Sequence, residues 1–196
     1  MRRFCVLGHD APTEPGINLN DLPGSAGRLD LLCRCVTSGL LHSHGIRADS
    51  EVVTNLQDQL TVRFSGDSIR QLHPDERSTA ARFDRALEDA RDAIGHVEVQ
   101  SSPGISVSRL DLAQFLNTVE TPIVQLHPAG APIVEWTPPD DATFVLSDHH
   151  PFSAEEEALL SEVADERVSI GPVAVHADQA ITVVHNYLDT GGYQQY

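Results

Sequence analysis

The stretch Phe144-Val145-Leu146-Ser147-Asp148-His149-His150-Pro151 passes from an apolar run into a polar loop within a few residues. Short apolar runs of this kind are typical of strands buried on both faces of a parallel sheet. Two other runs in the same half of the chain end in similar loops, at Leu126-His127-Pro128 and at Ile170-Gly171-Pro172. Because ligands of open α/β sheets bind at the carboxyl ends of the strands, these three loops are predicted to form a binding site.

The rest of the chain alternates short strands with amphipathic helices. Strands are predicted at Phe4–Leu7, Glu51–Leu56, Leu60–Phe64, Ile123–Leu126, Phe144–Leu146 and Val168–Ile170, the second and third paired as a hairpin through Gln57 and Asp58. Helices are predicted from Leu29 to a stop at Gly45, from Pro74 to Gly95 with Ile94 on the buried face, from Ser108 to Asn117, from the capping box Ser153–Glu156, and from His176 to Asp189. This order predicts an α/β fold with a mostly parallel sheet in one domain, residues 1–196.

The charged residues of the chain limit which catalytic and binding motifs it can contain. The chain has 29 acidic and 13 basic residues, a net charge of −16, and every basic residue is an arginine. A Walker loop and a Schiff-base lysine are both excluded because the chain has no lysine. A surface that repels an acidic partner is one interpretation, but the lack of lysine favours adaptation to high salt. The Debye length is about 3 Å in molar salt, so the acidity does not exclude RNA as a partner.

Neither a membrane anchor nor a metal site is predicted. The apolar runs are too short to span a membrane, and the first residues do not form a signal peptide, so we expect a cytoplasmic protein. Cys5, Cys33 and Cys35 are interpreted as reduced core thiols. Cys33 and Cys35 point in different directions on a helix, and the neighbouring His149 and His150 are expected to diverge.

The last predicted helix carries a wide apolar stripe. Ala177, Ala180, Ile181, Val184 and Leu188 form one face, which Val183 and Tyr187 widen. A helix this apolar is hard to bury within a small protomer. The periodicity therefore suggests a subunit interface, without deciding the question.

A second candidate site precedes the first helix, in Gly24-Ser25-Ala26-Gly27-Arg28-Leu29-Asp30. Backbone amides at a helix start bind anions, and Arg28 would strengthen such a site. Asp30 is either a functional carboxylate or a simple complement to the helix dipole. Arg77 and Arg109 lie beside loops and suit phosphate contacts, although arginines on a helix face are often merely solvated.

The chain resembles the archaeal tRNA pseudouridine-54 N1-methyltransferases. The segment from Ile17 to Val36 is similar to the N-terminal signature of that family. Further similarities are Pro74-Asp-Glu-Arg77, Ser101-Ser-Pro-Gly104, Ser147-Asp-His149 and His176-Ala-Asp-Gln-Ala-Ile-Thr-Val-Val-His-Asn186. The resemblance runs in register over nearly the whole chain and is therefore specific.

This resemblance implies a methyltransferase of the SPOUT superfamily. It implies S-adenosylmethionine as methyl donor, tRNA as substrate, a homodimer with the site at the subunit interface, and a deep trefoil knot at roughly residues 120–190. The donor-binding residues it implies are Leu126, Ser147, Ile170, Gly171, Pro172, Val173, Ala174, Val175 and Ala180. The RNA-binding residues would be Arg28, Arg34, Arg77 and Arg109.

The expected chemistry is methylation of the ring nitrogen N1 of pseudouridine, which must lose a proton. Asp30 is the first candidate base and Asp148 the second, while Arg28 would hold a phosphate or the developing uracil anion. The chain departs from the family in having Ser147 where relatives usually have Gly and Ala180 where they usually have Cys. The alternative functions are N1-methylation of a pseudouridine in small-subunit ribosomal RNA and an inactive, dimeric RNA-binding relative.

Overall fold

An eight-stranded sheet organises residues 1–195, the part of the chain that the computed structural model describes. Its strand order is β10-β8-β9-β1-β4-β5-β7-β6. The strands from β10 to β4 are parallel, and β5, β7 and β6 extend the sheet in antiparallel fashion. The strands are β1 (Arg2–Gly8), β4 (Ser50–Leu56), β5 (Leu60–Ser65), β6 (Val99–Ser102), β7 (Ile105–Ser108), β8 (Ile123–Pro132), β9 (Ala142–Ser147) and β10 (Glu166–Ser169), with a separate hairpin of β2 (Leu41–His42) and β3 (Gly45–Ile46).

Helices cover both faces of the sheet, as the apolar strands require. Successive residues of β1 alternate between two cores, Phe4 and Val6 facing one and Cys5 and Leu7 the other. The first core includes side chains of α1, α2, α3 and α6, and the second those of α4 and α5. The helices are α1 (Leu22–Ser25), α2 (Leu29–Leu40), α3 (Glu76–Asp89), α4 (Leu112–Leu116), α5 (Ala154–Val163) and α6 (Ala177–Asp189).

Several predicted elements are confirmed in detail. The Gln57–Asp58 turn joins β4 and β5 as an antiparallel hairpin. Ser153 and Glu156 form the predicted capping box of α5, and the side chain of Asp75 caps α3. Cys5, Cys33 and Cys35 are free and buried, as expected for core thiols. Burial raises the pKa of the Cys5 thiol to about 12.

Two predicted helix ends are wrong. Gly45 does not stop α2, which ends at Leu40, because the residues that follow turn back as the β2–β3 hairpin. Helix α3 ends at Asp89 and continues only as a short 3-10 turn over Ala90–Asp92. Ile94 therefore leaves the buried face on which the sequence placed it, and it is 81% exposed.

The region between α3 and β8 also differs from the prediction. Ser101 and Ser102 end β6 and Ile105 begins β7, so Pro103 and Gly104 form the turn of the β6–β7 hairpin, and the helix expected from Ser108 begins only at Leu112. The last predicted strand is shifted to Glu166–Ser169. Serine-rich strands of four residues carry too little apolar alternation to be recognised from sequence.

Strand β8 is longer than expected and carries a large bulge. Gln125 pairs with Arg167, whereas the next residue of β10, Val168, pairs with Ala131. Residues 126–130 therefore leave the ladder and form the loop that the sequence predicted after Leu126. The bulge closes at Gly130, where a Cβ atom would lie 2.6 Å from the backbone of Val168. Only glycine permits this close approach.

Most of the apolar stripe of α6 is buried within the protomer. Ile181 and Val184 have no exposed area, and Ala177, Ala180 and Tyr187 are also buried, since α6 packs on α2. Most of the stripe is thus buried without a partner subunit, whereas Val183 and Leu188 remain half-buried, so the periodicity alone does not require a subunit interface. Within residues 1–195, none of the helices combines the length and the apolar character that a membrane crossing requires.

Candidate active site

A cavity of about 780 Å³ lies where the parallel strands β8, β9 and β10 end. Its wall comes from the β8 bulge, the loop after β9, the loop after β10 and the first turn of α6. The lining includes all the predicted donor-binding residues except Pro172, namely Leu126, Ser147, Ile170, Gly171, Val173, Ala174, Val175 and Ala180. The three loops selected from the sequence thus meet at one site.

The cavity suits a small, largely apolar ligand with a few polar groups. Its volume falls in the range of about 300–1,000 Å³ that is usual for small-molecule sites. Leu126, Leu146 and Ile170 supply apolar surface, while Glu157 contributes a carboxylate. Glu157 is itself paired with Arg167 and contacts His127, so the cavity offers mainly apolar surface and a few polar groups to a nucleoside ligand such as the expected S-adenosylmethionine.

Hydrogen bonds fix the shape of the loop after β9. Ser147 Oγ donates to the carbonyl oxygen of His150 at 2.6 Å, and the backbone nitrogen of His150 donates to Asp148 at 2.9 Å. Asp148 also accepts bonds from His9, which follows β1. The Ser147 side chain therefore joins the two ends of this loop.

His9 is the cation that neutralises this region. Its ring nitrogens lie 2.8 Å from Asp148 and 3.1 Å from Glu156. The hydrogen bond to Asp148, followed by that to Glu156, raises the pKa of His9 to about 10. Burial alone would raise the pKa of the Asp148 carboxyl, but the bonds from His9 and His150 outweigh it and hold that pKa below its usual range. Asp148 is therefore an ionised carboxylate whose oxygens are already in use.

The second predicted site, at the start of α2, does not line the cavity. Arg28 adopts a left-handed conformation (φ 59°) immediately before the helix, and its Nε donates to Asp30 at 3.1 Å. Arg34 donates to Asp30 at 2.9 Å and to Glu76 at 2.8 Å. It also lies 3.6 Å from Asp178 of α6. Asp178 lies in the first turn of α6 between Ala177 and Gln179, which line the cavity, so this contact links the cluster to the helix that borders the site.

Asp30 is almost fully buried between two arginines. Burial would raise its pKa, but the hydrogen bonds and charges of Arg28 and Arg34 lower it below the ordinary value. A general base works best when its pKa lies near the working pH. The arrangement favours a carboxylate that holds two guanidinium groups in place.

The predicted RNA-binding arginines do not form one patch. Arg77 lies in the first turn of α3 and donates to Asn20 at 2.6 Å. Its neighbour in sequence, Glu76, accepts a hydrogen bond from Arg34. Arg109 donates instead to the carbonyl oxygen of Ala93, beyond the other end of α3. A helix of 14 residues is about 21 Å long. Arg28, Arg34 and Arg77 are therefore neighbours, and Arg109 is remote from them.

Sequence reasoning missed the contribution of the segment after β1. His9 and Asp10 were not selected, although they follow the carboxyl end of a parallel strand. The general rule for such strand ends would have selected them. The partners of His9, by contrast, come from residues more than a hundred positions away and leave no local signal.

Comparison with known proteins adds three findings. Residues 1–193 match the model of a family described as SAM-dependent RNA methyltransferases. Proteins named tRNA (pseudouridine(54)-N(1))-methyltransferase from Haloarcula marismortui and Haloferax volcanii are 56% and 52% identical to this chain, each over 198 residues that cover 100% of both proteins. A protein of the same name from Methanopyrus kandleri is 43% identical over 96% of this chain and 93% of its own.

The fold also matches a solved structure. Archaeoglobus fulgidus Nep1, bound to S-adenosylhomocysteine, superposes with a TM-score of 0.65 over 96% of this chain and 97% of that one. The two sequences are 13% identical, so the likeness concerns the fold.

Proposed function

The chain belongs to the family of SAM-dependent RNA methyltransferases, and we propose that it methylates ring nitrogen N1 of pseudouridine 54 in tRNA. The cavity formed by the loops after β8, β9 and β10 carries this proposal. This chain aligns with those relatives over its full length, and the cavity at its strand ends is large enough for the methyl donor. The salt-loving sources of two of these relatives also agree with the acidic, lysine-free composition.

The three loops are proposed to hold the methyl donor. When bound, S-adenosylmethionine supplies the methyl group as a sulfonium. Leu126, Ser147, Ala180 and the segment from Ile170 to Val175 would contact it, with Pro172 shaping the loop from outside the cavity. The bond from Ser147 to His150 keeps the loop after β9 in one shape, which reduces the cost of ordering it on binding.

The cluster at the start of α2 is proposed to position the RNA. Asp30 holds the guanidinium charges of Arg28 and Arg34 in place near the first turn of α6, and Arg34 is shared with Glu76 and Asp178. Such charges suit a phosphate or the negative charge that develops on the uracil ring as N1 loses its proton. The carboxylate oxygens of Asp30 and Asp148 already accept hydrogen bonds from the protein. We therefore propose that a water molecule at the cavity mouth accepts the proton from N1, and that Asp30 positions Arg28 and Arg34. Holding N1 in line with the methyl group then supplies much of the rate.

The remaining features follow as further parts of the proposal. A trefoil knot over residues 120–190 is supported by the strand order, in which β9 lies between β8 and β1 while β10 lies outside β8. A homodimer is supported by Val173 and Val175, apolar side chains exposed at the rim of the cavity. A cytoplasmic location is supported by the proposed tRNA substrate and by the three buried, unpaired cysteines.

Methyl transfer from labelled S-adenosylmethionine tests the function. The substrates are tRNA with pseudouridine at position 54, the same tRNA with uridine there, and a small-subunit ribosomal RNA fragment that contains pseudouridine. We expect label only in the first. Label in the ribosomal fragment alone would support the rival substrate, and label in none would support an inactive RNA-binding protein.

A further inference from the structure

The rings of His149 and His150 converge on one carboxylate oxygen. Nε2 of His150 lies 2.8 Å from Asp10 Oδ2, and Nε2 of His149 lies 3.5 Å from the same atom. The two ring centroids are 4.0 Å apart. The sequence predicted that these adjacent histidines would diverge. They converge because the loop after β9 folds back on itself through the Ser147–His150 bond.

This cluster has the composition and the spacing of a transition-metal site. Two imidazole nitrogens and a carboxylate oxygen lie within 4.8 Å of one another. A tetrahedral zinc ion with bonds of about 2.0–2.1 Å needs its ligand atoms about 3.3 Å apart. The distances from Asp10 Oδ2 to the two rings lie on either side of that value. Small side-chain rotations would therefore complete the coordination.

The opposite side of His149 is arranged as in known metal sites. Its Nδ1 is buried, has no hydrogen-bond partner among residues 1–195, and lies 3.4 Å from Asp148 Oδ2. Histidines that bind metal usually turn their second ring nitrogen toward a carboxylate, which fixes the tautomer and the ring orientation. Asp148 is itself held by His9, so it is an anchored partner for this nitrogen.

The location is accessible to an ion. Asp10 and His150 are about half exposed, and the two histidines stand at the mouth of the cavity. Asp10 follows β1 and the histidines follow β9, so a metal bound here would join two neighbouring strand ends. Such a link would restrain the loop that lines the cavity.

We propose that Asp10, His149 and His150 form a binding site for a divalent transition ion of the zinc class. Nε2 of both histidines and one oxygen of Asp10 are the protein ligands, and the fourth position is open to solvent. Imidazole and carboxylate together select this class of metal over magnesium or calcium. The site adjoins the proposed donor cavity, but metal binding here does not depend on methyl transfer.

Calorimetric titration of the untagged, chelator-treated chain with Zn²⁺ in molar KCl tests the proposal. We expect one ion per chain, with affinity at least 10-fold lower in His149→Ala and in His150→Ala. His44→Ala, which removes an exposed histidine of the β2–β3 hairpin, is the matched control and should bind normally. The three cysteines are buried and should not compete.

Two further readouts separate metal binding from simple His–Asp ion pairing. Co²⁺ should give the visible absorption bands of a low-coordination site in the wild-type chain and lose them in Asp10→Asn. Zn²⁺ at about 100 times its Kd should raise Tm by about 5–10 °C in the wild type and in His44→Ala only. The proposal is overturned if no saturable event with one ion per chain is found, or if both histidine variants bind like the wild type.

Discussion

Asp148 accepts two hydrogen bonds from His9, one from the backbone nitrogen at 2.9 Å and one from ring Nδ1 at 2.8 Å. These bonds tie the loop after β9 to the end of β1. They explain why a nearly buried carboxylate is tolerated beside the cavity, since an isolated buried charge would be costly. Asp148 therefore holds the loop after β9 in a fixed shape.

The tie predicts a loss of stability when His9 is removed. His9→Ala leaves Asp148 and Glu156 without their cation, so the free energy of unfolding should fall by about 1–3 kcal/mol. Donor binding should weaken as well, because the loop after β9 loses its anchor. Chemical denaturation and donor titration measure the two effects, with His44→Ala as a neutral surface control. An unchanged free energy of unfolding in His9→Ala would show that the tie contributes nothing.

The loop after β10 allows a sharp test of the donor site. Gly171 lines the cavity, and a Cβ atom added there would meet nothing within 4 Å, so Gly171→Trp should fold normally. The indole should fill the cavity and weaken S-adenosylmethionine binding at least 10-fold. Pro172→Ala is the comparison variant at the adjacent position: Pro172 does not line the cavity, so its substitution should weaken binding less than Gly171→Trp does. Equal affinity in wild type and Gly171→Trp would place the donor elsewhere.

The sequence predicted which loops line the cavity, but it did not predict how the apolar face of α6 is buried. Apolar runs ending at Leu126, Leu146 and Ile170 were readable because buried parallel strands leave a continuous signal. The stripe of α6 was readable too, but a one-dimensional pattern does not say whether a helix packs on its own chain or on a partner. The pairing of His149 and His150 with Asp10 depends on two strand ends meeting in space, which no local spacing encodes.

The proposed dimer is therefore tested at a different surface from the one that periodicity suggested. Val173 is 73% exposed at the cavity rim, so Val173→Asp should shift the sedimentation profile toward monomer. Ile94→Asp is the control, because Ile94 is equally apolar and exposed but lies after α3. Val184→Asp should instead prevent folding, since Val184 is fully buried within the protomer. A monomeric, active wild-type protein would refute the dimer.

A buried histidine gives the protein an acid-sensitive element. His185 lies between α6 and α2, with Nε2 at 3.0 Å from the carbonyl oxygen of Gly39 and Nδ1 at 3.3 Å from Arg2 Nη1. Arg2, Arg47 and Asp189 are the charged groups that face it. Burial, with a smaller contribution from Arg47, lowers the pKa of His185 to about 4.

The lowered pKa of His185 predicts that the protein loses stability at acidic pH. Below the ordinary pKa of about 6.5 the unfolded chain takes up a proton that the folded chain refuses, so stability falls as the pH drops toward 4. The loss should reach about 2–3 kcal/mol. Urea unfolding at pH 7.5 and 4.5 should show His185→Gln losing less stability on acidification than the wild type. Equal losses in both proteins would mean that His185 does not carry this sensitivity.

The role of Asp30 decides between two mechanisms. Its carboxylate holds Arg28 at 3.1 Å and Arg34 at 2.9 Å, and these arginines lower its pKa. If Asp30 positions the arginines, Asp30→Asn should raise the KM for tRNA about 10-fold and leave the single-turnover rate nearly intact. Arg28→Ala should weaken RNA binding and reduce its salt dependence by about one counterion.

A general base would behave differently in the same measurements. Loss of the base should lower the chemical rate by about 10²–10⁴ while RNA affinity changes little. Such a result for Asp30→Asn would restore Asp30 as the base, and the same result for Asp148→Asn alone would assign the role to Asp148. If neither variant loses chemical rate, the proton of N1 leaves without a protein base. Alignment beside the two fixed guanidinium groups, together with water, would then be sufficient for the reaction.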